Sequence, residues 1–250
     1  MKKIVVILYG PPGSGKGTQA NLLADKLGLI HFDTGRYLES AVYDPTRQKE
    51  KIIKRERKFF EGGQLMTPSF VLAEVSKATK KLRKAEWGIV FSGSPRTVFE
   101  GKGLMPLLEK LYGKKNIFVF VLVVPAKDSI KRNSDRVVCK ICKAPLLTKY
   151  YPSKHYKHCP VCAGPFYHRT LDSPKTIKVR LEEYRSRTEP VFKLMRKRGY
   201  RIIKIDGRPA PYKVFEHILK KNLNVKFKNP RLRRPALRRR LRQGEGFRRR

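Results

Sequence analysis

Three groups of residues have the types and spacing to do chemistry. The first is GPPGSGKGTQA, Gly10–Ala20, which follows an apolar run ending at Tyr9 and opens a helix-forming stretch. Strand, glycine-rich loop, lysine and helix in that order make a phosphate-binding loop. Gly10, Gly13 and Gly15, with Ser14 between them, let the backbone curl so that its N–H groups face phosphate oxygens. The helix N-terminus adds positive potential. Lys16 can reach the β- and γ-phosphates, and the Gly17 amide or Thr18 can approach phosphate or Mg²⁺. The general pattern puts Ser or Thr directly after the lysine; here Gly17 intervenes.

The second group is a pair of CxxC sequences, Cys139/Cys142 and Cys159/Cys162, with residues 143–158 between them. Two such knuckles suit one tetrahedral Zn²⁺ held by four thiolates. The alternatives are a redox pair or inert thiols. A redox site expects one CxxC at a helix start after a strand, not two in a polar insertion. Four sulfurs close the coordination sphere, so the metal would be structural, and His155 and His158 would be surface residues. A small insertion poor in apolar residues needs such support. The third group is IVFSGSPRT, Ile89–Thr97: an apolar run emptying into a polar loop. A nucleotide-handling protein would be expected to place an acid at that strand's end, to help hold Mg²⁺, and here Ser92 stands there.

The surrounding pattern alternates strand and helix. Strands are expected at Lys3–Tyr9, Leu29–Asp33, Gly88–Ser92, Ile117–Val124 and Arg201–Ile205. Helices are expected at Lys16–Leu27, Thr34–Ala41, Arg55–Glu61, Thr67–Arg83, from Ser173-Pro174 to about Arg198, and Pro211–Asn222. Thr67 is placed as an N-cap with Pro68 at the first helical position. Such alternation argues for an α/β fold with a parallel sheet covered on both faces, and sites outside the carboxyl ends of its strands.

Several of these segments together resemble the adenylate kinases and related nucleoside monophosphate kinases. GPPGSGKGTQA is similar to their phosphate loop. HFDTGRYL (His31–Leu38) and GGQLMT (Gly62–Thr67) resemble their monophosphate-site segments, and FSGSPRT resembles their DGFPRT motif. RNSDRVVC (Arg132–Cys139) resembles the entrance to their lid. RLEEYRSRTEPV (Arg180–Val191) and KIDG (Lys204–Gly207) resemble C-terminal landmarks. The resemblance spans about residues 1–222. It implies a P-loop NTPase-type, five-stranded parallel sheet flanked by helices, with a core of 1–131 and 170–224. It further implies a helical monophosphate-binding insertion at 34–67, a zinc-knuckle lid at 132–169, and a monomer.

The activity implied is transfer of the γ-phosphoryl of Mg·ATP to a nucleoside monophosphate, AMP first (ATP + AMP ⇌ 2 ADP). Phosphoryl transfer is mostly positioning and charge neutralisation, so cations must converge on one spot closed off from water. By motif position, Lys16 and Arg136 meet the ATP phosphates, and Arg132 lies against the adenine or its phosphates. Arg96, Arg169 and Arg180 neutralise the monophosphate and the transferred group. Thr34, Gly93 and the Gln64–Leu65–Met66 backbone line the acceptor pocket, and Asp172 holds an arginine or the closed lid.

Five positions depart from the family pattern. Ser92 replaces an aspartate associated with Mg²⁺. Glu39 stands where an arginine commonly meets the monophosphate. Arg36 stands where an acid is frequent, which reads as a charge swap on one helix face with Arg36 serving the phosphate. Glu100 stands where a glutamine commonly reads adenine, and a carboxylate only accepts hydrogen bonds. Leu171 replaces an acid beside Asp172. The alternatives are a kinase with a different acceptor base, or a weakly catalytic nucleotide-binding protein associated with RNA or ribosomes through its basic surface.

The 250-residue chain carries 59 Lys/Arg against 20 Asp/Glu, a formal charge of +39. That predicts attraction to polyanions, with a solvated basic surface as the plain alternative. Residues 226–250 hold twelve Lys/Arg and one Glu. A tail at 225–250 is therefore expected to be disordered when free, and to make non-specific RNA or ribosome contact or weak contact with a membrane surface, or to stay solvated. The apolar stretch of MKKIVVILYG is too short for a signal peptide, and a glycine-rich loop follows it. IFVFVLVV, Ile117–Val124, is far below the ~20 residues of a membrane span. A cytoplasmic location is expected.

Overall fold

The computed structural model describes residues 3–146, 148–150 and 157–220. The expected tail, and His155, lie outside these residues. Strands β1 (Val5–Tyr9), β2 (Ile30–Asp33), β3 (Ile89–Ser92), β4 (Ile117–Val123) and β7 (Ile202–Asp206) form one sheet in the order β2-β3-β1-β4-β7. Every pairing in it is parallel. The chain runs outward from β1 in both directions, so the strand order reverses at β1. A crevice opens there at the carboxyl ends, where doubly wound sheets bind ligands.

Both faces of β1 are buried, which is why its residues form a continuous apolar run. Val5, Ile7 and Tyr9 pack with Phe70, Val75, Leu104, Leu108, Val191 and Met195 on one face. Ile4, Val6 and Leu8 pack with Ala20, Leu23, Val214 and Ile218 on the other. The first face is covered by α4 (Pro68–Lys84), α5 (Val98–Tyr112) and α8 (Glu189–Lys197), the second by α1 (Lys16–Leu27) and α9 (Pro211–Lys220). At about 1.5–3 kcal/mol per fully buried large aliphatic side chain, this double layer is the main source of the sheet's rigidity.

Two helices, α2 (Thr34–Val42) and α3 (Lys51–Glu61), stand between β2 and α4. Thr67 precedes α4 and Pro68 opens it, as expected, although Thr67 makes no side-chain cap bond. Its N–H and hydroxyl instead donate to the buried Glu56 carboxylate, at 2.7 and 2.6 Å, which ties α3 to the start of α4. The helix expected from Ser173 is real but divided: α7 (Pro174–Glu183) passes through a π turn, Tyr184–Thr188, into α8. Two helices had no counterpart in the sequence expectations, α5 and α6 (Ala126–Ser134).

The cysteine-bearing segment is a second small unit. β5 (Val138–Cys139) and β6 (Phe166–Tyr167) pair antiparallel. Its two knuckles repeat one set of bonds. Cys139 N–H donates to Ala144 O and Lys143 N–H to Cys139 O; Cys159 N–H donates to Gly164 O and Ala163 N–H to Cys159 O. Lys143 and Ala163, the residues after each CxxC, both have left-handed backbones (φ 59° and 56°).

Candidate active site

The crevice above β1 is a cavity of about 1400 Å³. Lys16, Arg36, Arg96, Arg132, Arg136, Arg169 and Arg180 all line it, with Gly13, Ser14, Gly15, Gly17, Thr18, Gln64, Leu65 and Gly93. The fold therefore brings together the phosphate-loop residues and every cation that the sequence singled out.

The loop between β1 and α1 is held from behind by α6. Ser129 Oγ donates to Pro12 O at 2.5 Å, and Asn133 Nδ2 donates to Ser129 O at 2.7 Å. Gly13 has φ 74°, and a Cβ there would sit 2.5 Å from Asn133 Nδ2 and 2.8 Å from Ser129 O. Only glycine lets the loop lie this close to α6. The first-turn N–H groups of α1 have no intrahelical acceptors and face the crevice. Lys16 Nζ donates to Gly10 O (2.6 Å) and Pro11 O (2.9 Å), which holds the ammonium over the loop.

Burial pushes the Lys16 pKa well below its ordinary value, and the positive charges of Arg96, Arg180 and Arg136 add to the effect. Burial and neighbouring Arg136 likewise bring Arg180 down to about 10, with Asp172 opposing. Cations that depress one another in this way form a site that gains when an anion arrives. Asp172, itself buried, organises two of them. Arg136 meets it through Nε and Nη2 (2.8 and 2.5 Å), and Arg180 Nη1 lies 3.3 Å from the same carboxylate. Arg180 also donates to Leu171 O at 3.1 Å. Arg132 is fixed differently, by Gly207 O and Arg208 O at 2.8 and 2.9 Å, on the loop after β7.

Arg96 lies across Gly93. At φ 117°, Gly93 would bring a Cβ to 2.4 Å from Arg96 Nη2. Gly93→Ala is therefore expected to lower kcat by about 10²-fold through displacement of the guanidinium. The fold would survive, because the strain of that backbone is about 1–3 kcal/mol. Steady-state kinetics beside a thermal melt would check both halves of this expectation.

Some sequence-predicted residues do not reach the crevice. Thr34 is buried, with its hydroxyl donating to Ser94 Oγ at 3.0 Å, and Met66 is a core residue. Glu100, expected to face the acceptor base, is buried at the start of α5. Its carboxylate accepts from Arg96 N–H (2.8 Å) and the Thr97 hydroxyl (3.0 Å), while Thr97 Oγ1 caps Glu100 N–H (3.2 Å). The signal was present as Thr97-x-x-Glu100 before an apolar run, the spacing of a capping box. Nor do Arg36 and Glu39 pair with each other. Arg36 lies 3.5 Å from Asp33 and donates to Lys143 O (2.7 Å) in the cysteine segment, and Glu39 lies 3.9 Å from Arg169.

Burial raises the Glu100 pKa. Between the ordinary and the raised value the folded chain holds the extra proton, so stability should fall as pH rises through that window. Glu100→Gln is expected to remove this slope in urea melts across the mildly acidic range, and to leave the ranking of phosphate acceptors unchanged.

The four cysteine Sγ atoms lie within 4.8 Å of one another, with Cys139–Cys162 at 3.5 Å and Cys142–Cys159 at 3.6 Å. Tetrahedral Zn–S bonds of about 2.3 Å put sulfurs about 3.8 Å apart, so the donor set fits one Zn²⁺. Ile141 and Val161 N–H groups donate to Cys139 and Cys159 Sγ, at 3.3 and 3.4 Å. His158 is exposed and outside this cluster.

A doubly wound parallel sheet, a phosphate loop at its reversal point and convergent arginines above it define a P-loop phosphotransferase. The adenylate kinase family model matches residues 8–200. An adenylate kinase of Archaeoglobus fulgidus is 32% identical over 219 residues, covering 86% of this chain and 98% of the relative. One from Methanosarcina barkeri is 32% identical, covering 85% and 95%, and one from Streptomyces avermitilis 34%, covering 78% and 86%. The chain belongs to the adenylate kinase family, and it is a nucleoside monophosphate kinase. No helix among the described residues is long and apolar enough to cross a membrane.

Proposed function

We propose that this chain moves the γ-phosphoryl of Mg·ATP to AMP, and that Cys139, Cys142, Cys159 and Cys162 hold a structural Zn²⁺ in the lid that closes over the reaction. The observation that carries the reading is the convergence of Lys16, Arg96, Arg136, Arg169 and Arg180 on one crevice. Phosphoryl transfer requires that neutralisation and little else from the protein. In this reading Lys16, Arg132 and Arg136, with the Gly13–Thr18 loop, bind the donor. Arg96, Arg169 and Arg180, with Gly93, Gln64 and Leu65, receive the acceptor.

Support for AMP comes from the relatives, which bear the name adenylate kinase over most of the chain's length. Glu100, a residue that argued for another base, is engaged at the α5 N-terminus, and Glu39 lies in the crevice 3.9 Å from Arg169. The cysteine segment meets α2 where Arg36 Nη2 donates to Lys143 O, a contact that would help close the cleft to water, as transfer without hydrolysis requires. The test is a coupled assay of zinc-loaded protein with AMP, GMP, CMP and UMP. AMP should be the best acceptor by a wide margin. Background rates with all four would overturn the assignment, and a different best acceptor would overturn the choice of AMP.

A further inference from the structure

A Mg·ATP site needs a carboxylate, because Mg²⁺ is usually held by one or two of them together with substrate phosphates and water. Five acids line the crevice: Asp33, Glu39, Asp128, Asp135 and Glu183. Glu183 is engaged by Leu65 N–H and Arg187, both at 3.1 Å. Glu39 faces Arg169. Asp128 and Asp135 stand at the two ends of α6. Asp33 is at the carboxyl end of β2, and its charge is the one that reaches Lys16, where it opposes the depression of the ammonium pKa.

Asp33 has a particular neighbour. In the parallel ladder its register partner is Ser92, at the end of β3, and both side chains line the crevice. Ser92 Oγ lies 2.7 Å from His31 Nε2, and His31 Nδ1 lies 2.5 Å from Asn21 Oδ1. An amide oxygen only accepts, so Nδ1 carries the proton and Nε2 accepts from the Ser92 hydroxyl. Burial lowers the His31 pKa, consistent with a neutral ring. Ser92 is thus oriented with its hydrogen turned to His31 and its lone pairs free toward the crevice. A neutral oxygen and a carboxylate sit side by side, one strand apart, and both are the hard donors that Mg²⁺ takes.

We propose that Asp33 supplies the carboxylate that orders the hydrated Mg²⁺ of the bound nucleotide, with Ser92 as its neutral neighbour. The anionic part of the site is carried by β2 instead of β3. Asp33 acts through water, and its role is to position the metal. The Asp33 carboxylate already accepts from Arg36 N–H (3.3 Å) as the N-cap of α2. Its second oxygen, 3.5 Å from Arg36 Nε, keeps lone pairs for water. The inference rests on the chain's use of Mg·ATP.

The experiment measures Mn²⁺ retention by the full chain with ATP, by electron paramagnetic resonance, for the parent, D33N and D33N/S92D. Asn keeps the helix cap, so the fold should be maintained. The Mn²⁺ dissociation constant should rise about 10–100-fold in D33N, the size of effect that outer-shell partners of a metal show. The affinity for ATP without metal should be unchanged or tighter, since a negative charge has gone. D33N/S92D should regain Mn²⁺, because the acid returns one strand away. Unchanged Mn²⁺ retention in D33N, an equal loss of metal-free ATP affinity, or no recovery in D33N/S92D would each overturn the proposal. A parent chain that fails to retain Mn²⁺ with ATP would overturn the kinase reading beneath it.

Discussion

Lys16→Ala is expected to reduce phosphoryl transfer by about 10²–10³-fold or more, the loss seen when a preorganised charge-stabilising donor is removed. Its thermal midpoint should nevertheless stay level or rise. The ammonium is buried among Arg96, Arg180 and Arg136, and those surroundings hold its pKa well below the ordinary lysine value. Between the lowered and the ordinary value the unfolded chain binds the extra proton, so the parent's stability should increase with pH through that window. The variant lacks this contribution. What it loses are the two bonds to Gly10 O and Pro11 O. Initial rates with saturating ATP, set beside calorimetric melts as a function of pH, separate the two effects. A variant that is both inactive and strongly destabilised would place Lys16 in the fold instead of the chemistry.

The second large effect concerns the thiolates. Stripping Zn²⁺ with a chelator, or replacing Cys142 by Ser, should unfold the segment from Val138 to Tyr167 and abolish turnover with the sheet intact. Structural Zn²⁺ contributes about 10–16 kcal/mol to the folding of small zinc modules. Among its described residues little else holds this unit: the buried hydrophobic side chains are Val138, Cys139, Leu146 and Cys159, while Ile141 and Val161 at the knuckle tips are exposed. Expected readings are one zinc per chain by atomic absorption, a separate low-temperature transition after chelation, and loss of protease resistance confined to the segment. An unchanged melt in the stripped protein would show that the knuckles fold without metal.

The parts of the site legible in the sequence were those whose chemistry is local. The phosphate loop needs its glycines, lysine and helix in one contiguous run, and a zinc knuckle needs its sulfurs two residues apart. The cations converged because each sat in its own short motif. The helix α5 was hidden because Gly101, Gly103 and Pro106 all lower its intrinsic propensity. In the folded chain Gly101 and Gly103 let Leu194 and Leu72 pack against the helix, and tertiary contact overrides the local preference. The helix α6 is short and polar, with Ser129 and Asn133 as its buried residues, so no apolar stripe announced it. The motif position of Glu100 points to the acceptor base, but its nearer obligation is to cap the following helix. Asp33 was invisible for another reason: its relation to Ser92 exists only once β2 and β3 pair, and register is a long-range property.

The contact between Arg36 and the cysteine segment has a further consequence. The acceptor on the segment's side is a main-chain carbonyl, that of Lys143, so the Lys143 side chain itself takes no part in the bond. What aims the carbonyl is the left-handed turn after Cys142, closed by Lys143 N–H on Cys139 O at 3.2 Å. If the four thiolates hold Zn²⁺ as proposed, metal loading and the Arg36 contact share one peptide unit, and a partly metallated preparation should behave as a mixture of two closing equilibria rather than as a uniformly slower enzyme.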